Sequence, residues 1–365
     1  MIFSCNVSTL SEAILNVSHA VMAKSNVSAL EGILIETVEN GVRLSGYNLE
    51  LGITTIIDAN VSKEGSAVFS ARLFGEIIRK LPDDKVKISV DEKLCTSIIS
   101  GAAVFDIIAI SALEYPELPS VISEQSLYIE SGQLKSMIRQ TIFAVSSDET
   151  RPVHTGIKFD IADKKIKLAA INGVCLAVRT EDTDYEGELS FVVPGKTMNE
   201  LLKLLSDNDE KIKISIGKRQ IIFTIENYKI YSRLLDGDFI DYKASIPKDG
   251  KTQVYLSTRS LIQCVERASL IISEKIKSPV RCLFEDGSIK VSCVTILGKS
   301  YDEIGVNMSG ENVEIGFNDR YLLEALKATE TDYIRLVIGG SYSPIKILPA
   351  EGEDFIFLIL PVRLK

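Results

Sequence analysis

Six amphipathic segments recur along the chain, beginning near residues 11, 71, 131, 195, 257 and 318. A spacing held this evenly is the mark of an internally repeated architecture, because each copy needs its neighbours to cover its apolar face. In 131–146, Leu134, Met137, Ile138, Ile142 and Val145 fall on one helical face, with Lys135 and Arg139 off it. Leu73, Phe74, Ile77, Ile78 and Leu81 make the same stripe in 71–80, and Pro82 stops it. Between these segments the pattern changes to period two, as in Ile212, Ile214 and Ile216, or Ile334, Leu336 and Ile338. The unit therefore reads as a helix followed by two strands.

Units pair into a longer period. Turn signals recur at Asn40-Gly41, near Asp163 and at Asp286-Gly287, and Gly41 and Gly287 lie 246 residues apart, twice 123. A chain of 365 residues holds that interval about three times. The expected organisation is α+β: three similar domains, 1–123, 124–247 and 248–365, each with two helices packed on antiparallel sheets. The boundaries fall near Pro119 and Pro247.

The repeat also carries charge in register. Arg72 and Arg79, Lys196 and Lys203, and Arg320 and Lys327 are pairs seven residues apart, and corresponding members are separated by 124 throughout. Seven residues is nearly two helical turns, so each pair shares a face, about 10 Å apart. Lys135 and Arg259 are also 124 apart, but Ser11 stands at the matching place in the first domain. The six helical spans carry a net +6 in a chain whose total is −9, so the rest is strongly acidic. Basic helices on an acidic body suit a protein that holds a polyanion on one surface, through salt-sensitive contacts indifferent to base sequence. Any one of these helices alone reads as an ordinary solvated face; the threefold recurrence makes a shared anion-facing surface an equal alternative.

Signatures of catalysis are weak. Gly195-Lys196-Thr197 opens a helix after a strand, but a phosphate loop needs Gly at position 190, which is Ser. Only His19 and His154 offer imidazoles; His154 reads as a packed or surface residue, and neither a nucleophile elbow nor GxGxxG occurs. Asp148-Glu149 and 207–210 supply carboxylates in polar stretches that read as solvated. Six cysteines without CxxC spacing read as small core residues, so no metal or cofactor is expected. No run is long enough for a membrane helix, and Met1-Ile2-Phe3-Ser4-Cys5 lacks a basic leader, so a cytoplasmic protein is expected and the Asn-Val-Ser sequons at 6, 16 and 26 carry no meaning.

Several stretches resemble one family, the bacterial DNA sliding clamp, the beta subunit of DNA polymerase III. They are Leu81-Pro82-Asp83, Glu114-Tyr115-Pro116-Glu117-Leu118-Pro119, Phe143-Ala144-Val145-Ser146, Asp148-Glu149-Thr150-Arg151-Pro152-Val153, Val193-Pro194-Gly195-Lys196 and Arg233-Leu234-Leu235-Asp236-Gly237. Gly316-Phe317-Asn318 and Leu360-Pro361-Val362-Arg363-Leu364 complete the series. Each is weak alone; their order over three domains is specific. The resemblance implies a head-to-tail homodimer closed into a ring around double-stranded DNA, helices lining the hole, no catalysis and no base reading. The DNA-facing residues would be Lys24, Arg72, Arg79, Lys135, Arg139, Lys196, Lys203, Arg259, Arg320 and Lys327.

The resemblance further implies a hydrophobic pocket for short peptides of polymerase and clamp-loader subunits. Its lining would include His154, Gly173, Val174, Cys175, Leu176, Ile240, Asn318, Tyr321, Leu360, Pro361, Val362 and Arg363. Here the chain departs from the family. Ile171-Asn172-Gly173-Val174-Cys175-Leu176 replaces Thr-Asp-Gly-His-Arg-Leu, His154 stands at a usually apolar place, and Ile240 replaces a common Pro. Cys175 in place of Arg would strip a charged side chain from the rim, so an altered peptide preference is expected. For the ring seam the resemblance opposes Phe105 and Ile107 to Leu270 and Ile271. A specialised paralogous clamp, or a peptide-binding hub that does not encircle DNA, remains the alternative.

Overall fold

The computed structural model describes residues 1–119, 125–248, 250–273, 276 and 278–364. The expected boundary between 123 and 124 lies outside these residues. Seven helices occur among them: α1 (Val7–Ser18), α2 (Ala71–Arg79), α3 (Ser131–Ile142), α4 (Gly195–Leu204), α5 (Tyr242–Ser245), α6 (Thr258–Ala268) and α7 (Asp319–Ala328). They pack on antiparallel sheets of five, eight, nine and four strands.

The expected helix-strand-strand unit is short by two strands. A strand precedes each long helix and at least three follow it in chain order. The strand before the first helix of a domain pairs with the strand after the second helix, and in the first and third domains it also takes a short partner from its own half, Asn60–Lys63 and Asn307–Ser309. Ile2–Asn6 pairs with Lys85–Val90, Gln125–Glu130 with Lys211–Ile216, and Thr252–Ser257 with Tyr333–Ile338. The reciprocal exchange joins Gly32–Val38 to Ser66–Ser70, Gly156–Ala162 to Leu189–Pro194, and Val280–Glu285 to Val313–Phe317.

The chain packs into two compact bodies, which do not follow the three repeats. One holds 1–131 and 203–234; the other holds 132–202 and 235–365. The middle repeat is divided because each of its sheet halves continues into a neighbour's. In the first body, Leu51–Asp58 pairs with Tyr228–Arg233. In the second, Cys175–Asp182 pairs with Phe355–Ile359.

In the first body α1 and α2 cover the sheets, with Leu10, Ala13, Ile14, Val17, Phe74, Ile77 and Ile78 buried and Phe69 stacked on Phe74 at 4.7 Å. In the second, Leu134, Met137 and Ile138 of α3, Met198 and Leu201 of α4, Leu261 and Val265 of α6, and Leu322 and Leu326 of α7 are buried. Leu73, expected in the buried stripe of α2, is 47% exposed, because the apolar arc there is completed from Phe74 onward.

Local chemistry shifts several expected boundaries. The first helix starts at Val7 because the Asn6 carboxamide accepts from Ser8 N, and it ends at Ser18, well short of the expected 24. Lys24 therefore sits in a loop. The third ends at Ile142, not 146, and α6, the fifth of the expected segments, gives way at Ala268 to a 3-10 turn, Ser269–Ile271. The first hairpin turns on Glu39-Asn40, since Val38 already pairs with Gly41. Gly41 serves a different end: a Cβ there would lie 2.1 Å from the carbonyl oxygen of Ile57. Five cysteines are buried as expected, but Cys95 is exposed on a strand.

Candidate nucleic-acid and peptide interface

The basic series lies on helix exteriors. In the first body, Ser70 caps α2, and Arg72 and Arg79 stand exposed two turns apart. Arg72 is paired with Glu76 at 3.4 Å, and Arg79 Nε donates to Gly75 O at 3.1 Å. Lys203 is exposed, its Nζ 3.4 Å from His19 Nδ1. In the second body Lys196, Arg259, Arg320 and Lys327 are exposed, Lys135 half-buried. Arg320 pairs with Glu324 at 2.9 Å, Lys327 with Glu266 at 2.7 Å, and Arg139 with Glu330 at 3.4 Å. All six members of the series at 124-residue spacing thus reach solvent, and Arg72, Arg320 and Lys327 among them share their charge with a carboxylate. The first domain is the exception on its first helix: Leu15, 57% exposed, stands where Arg139 stands one period later.

The pocket residues belong to the second body. Asn172 bends the loop between two strands, its Oδ1 accepting from Val174 N at 3.0 Å and Cys175 N at 2.8 Å. Gly173 there has φ +84°, a conformation that disfavours side chains, with open space around it. The C-terminal segment is tied to that loop: Leu360 N donates to Val174 O at 2.9 Å, and Val362 N to Gly316 O at 2.7 Å. Asn318 caps α7 by accepting from Arg320 N and Tyr321 N, and Tyr321 is half-buried.

Beneath lies an apolar cluster of Ala169, Leu176, Val178, Tyr242 and Leu358, against which Ile171, Phe239, Ile246 and Ile356 pack. The His154 ring stands edge-on to Phe239 at 5.5 Å, and burial, with Arg151 nearby, pulls its pKa below the usual imidazole value. Ile240, Leu360 and Val362 are exposed by 42, 44 and 39%. Three large apolar side chains left in solvent beside a buried apolar seat form a surface suited to a partner's hydrophobic residues. Pro361 is half-buried and Arg363 exposed.

Cys175 differs from expectation: it is buried on the strand face opposite Leu176, where desolvation first and Glu324 second push its thiol up to about 12. It forms no part of a rim. Phe239, Tyr242, Ile246 and Ile171 were not expected. Their signal was available, because Tyr115-Pro116-Glu117-Leu118 recurs 124 residues on as Phe239-Ile240-Asp241-Tyr242.

The seam residues lie at two sheet ends. Ala103–Ile108 is the last strand of the five-stranded sheet, with Phe105 37% exposed and Ile107 half-buried. Gly298–Gly305 ends the four-stranded sheet, and near it Leu270 is 82% exposed and Ile271 half-buried. The structure adds Ile108 at 82% on the first, and Ile296 and Leu297 at 89 and 67% beside the second. Among the described residues no cluster of His, Cys, Asp and Glu could hold a metal ion, and no helix is long and apolar enough to cross a membrane.

Three family models match the chain: the DNA polymerase III beta subunit N-terminal domain over residues 1–119, its central domain over 128–241 and its C-terminal domain over 243–363. The beta sliding clamp of Bacillus subtilis is 34% identical over 376 residues, covering all of both chains. The solved B. subtilis clamp superimposes with a TM-score of 0.97 at 34% identity over the full length of both. A DNA polymerase III beta subunit structure from Eubacterium rectale gives 0.95 at 32% identity, covering 99% of each chain. The Pseudomonas aeruginosa clamp, solved bound to griselimycin, shares the fold with a TM-score of 0.95 at 24% identity over all of both chains.

Proposed function

The chain belongs to the DNA polymerase III beta subunit family, the bacterial sliding clamps, and from that premise we propose how its geometry does the work of a non-catalytic processivity clamp. Two copies associate head to tail, and the ring they close encircles double-stranded DNA. The observation that carries this reading is the pairing rule at the two junctions within one chain. At each, the outer strand of a domain's first half pairs antiparallel with the outer strand of the next domain's second half. Applied once more, the rule leaves Gly298–Gly305 and Ala103–Ile108 as complementary edges, and these carry the exposed Leu270, Ile296, Leu297, Phe105 and Ile108. Such edges invite pairing with another chain, and a second copy satisfies both at once with twofold closure.

The registered cations then face a duplex. Held by enclosure, DNA needs only weak phosphate contacts, and Arg72, Arg320 and Lys327 are already shared with carboxylates, which keeps the grip loose enough to slide. Ile240, Leu360 and Val362, with the loop Asn172–Val174, receive short apolar peptides of polymerase and clamp-loader subunits. Solution mass at micromolar concentration tests the ring: about 80 kDa is expected from a 40.2 kDa chain, and a strict monomer contradicts it. For the pocket, the peptide ligand griselimycin should bind the wild type and lose binding to Leu360→Asp; equal binding to both contradicts the assignment.

A further inference from the structure

One carboxylate fixes the segment that walls the apolar seat. Asp160 Oδ1 accepts from Ser190 Oγ at 2.8 Å, and Oδ2 accepts from the Tyr242 hydroxyl at 2.9 Å. Lys158 Nζ stands 3.4 Å from Oδ1 and lies over the rings of Phe239 and Tyr242, at 5.7 and 6.0 Å from their centroids. Lys243 Nζ also lies over the Tyr242 ring, 5.9 Å from its centroid. Tyr242 is 2% exposed and belongs to the cluster with Leu176 and Leu358. Burial, and then the Asp160 charge, push its phenol above the ordinary value, so the hydroxyl remains a donor at neutral pH.

The first body contains the same backbone arrangement without this lock. Asn48 bends its loop as Asn172 does, accepting from Glu50 N and Leu51 N, and Arg233 N donates to Glu50 O as Leu360 N donates to Val174 O. At 124-residue spacing Glu36 corresponds to Asp160, Tyr115 to Phe239 and Leu118 to Tyr242. Glu36 is turned instead to Arg43 at 3.8 Å, and Leu118 has no hydroxyl to offer. Gly52 replaces Leu176, with Leu118 so close that a Cβ would meet it at 2.7 Å. The first junction is held differently, by the Tyr115 hydroxyl donating to Ser45 O at 3.1 Å; the carboxylate–phenol lock belongs to the junction that leaves Ile240 and Leu360 in solvent.

We propose that Asp160 is a positioning residue for peptide binding: by holding Tyr242 it fixes the wall of Phe239 and Ile240 against Leu176 before a peptide arrives. The proposal rests on the reading that apolar peptides dock beside Leu176 and Leu360. Preorganisation matters because ordering side chains at the moment of binding subtracts directly from affinity. With Phe239 and Tyr242 released, griselimycin affinity falls about tenfold.

The test compares griselimycin binding to the full-length wild type, Tyr242→Phe, Asp160→Asn, the double variant, Asp160→Glu and the first-junction control Glu36→Gln. Tyr242→Phe keeps the buried ring and removes the bond alone. The expected result is a loss of about tenfold in each single variant, no further loss in the double variant, partial recovery with Asp160→Glu and wild-type affinity for Glu36→Gln. Amide exchange at 239–246 without ligand should be faster in Tyr242→Phe. Wild-type affinity and wild-type exchange in Tyr242→Phe and Asp160→Asn overturn the proposal while leaving the pocket intact. Additive losses in the double variant overturn it too. A wild type that does not bind griselimycin overturns the pocket reading itself, and the proposal with it.

Discussion

Replacing Arg79, Lys203 and Lys327 together with Gln tests the channel surface where the structure makes the size of the effect calculable. Each cation resting on a phosphate contributes about 0.9 to the slope of log affinity against log salt for B-form DNA. Lys327 is already paired with Glu266 at 2.7 Å, so its share is reduced, and Arg79 Nε rests on Gly75 O at 3.1 Å. The triple change should therefore flatten the slope by about 1.8 to 2.7 per protomer. Between roughly 50 and 200 mM salt that amounts to about a ten- to fortyfold smaller loss of affinity. The assay is anisotropy of a labelled duplex across that salt range, with Lys85, Lys87 and Lys213, exposed on strands, changed to Gln as a control of equal charge. A flattened slope in the helix variant alone is expected. Equal slopes in both variants refute the argument that helix register marks the DNA face.

Other consequences are quicker to check. Tyr115 donates to Ser45 O at 3.1 Å in a buried setting, so Tyr115→Phe should lower stability by about 1 to 2 kcal/mol in urea denaturation; no change would mean the bond is not formed. His154 has its pKa lowered on folding, so its contribution is present above the unfolded value near 6.5 and lost as pH falls through the lower folded value. Thermal midpoints of the wild type should accordingly drop more than those of His154→Leu on going from about pH 7.5 to 5.5, and parallel curves would contradict that burial. Of six thiols, iodoacetamide should modify Cys95 first, since burial pushes Cys5, Cys175, Cys264 and Cys282 up to about 12; peptide mapping that finds Cys175 labelled as fast contradicts its placement.

The repeat was legible because it is written in local periodicity. Apolar stripes such as Leu134, Met137 and Ile138 are buried as read, and the cations at 72, 196 and 320 project as their spacing requires. Boundaries failed where one polar side chain decides the outcome. Asn6 caps α1 five residues before the apolar pattern begins at Ser11, and no periodicity announces a cap. The exchange of strands between halves was invisible, because Ile2–Asn6 and Lys85–Val90 are joined by pairing across some 80 residues, not by any short-range signal. At the pocket, the loop and tail came from resemblance, whereas the seat of Phe239 and Tyr242 could have been found by carrying the 124-residue register into the linkers. Cys175 came from the same resemblance, and it is buried at 2% beside a Leu176 buried at 3%, so exposure marks neither of them as lining.

The account stands or falls on enclosure. The protein should be placed on nicked circular duplex DNA, separated by gel filtration at high salt, and then challenged with a restriction enzyme that cuts the circle once. Co-elution with the closed circle and release on linearisation is the predicted result. Equal retention on circular and linear DNA, or none on either, would contradict it.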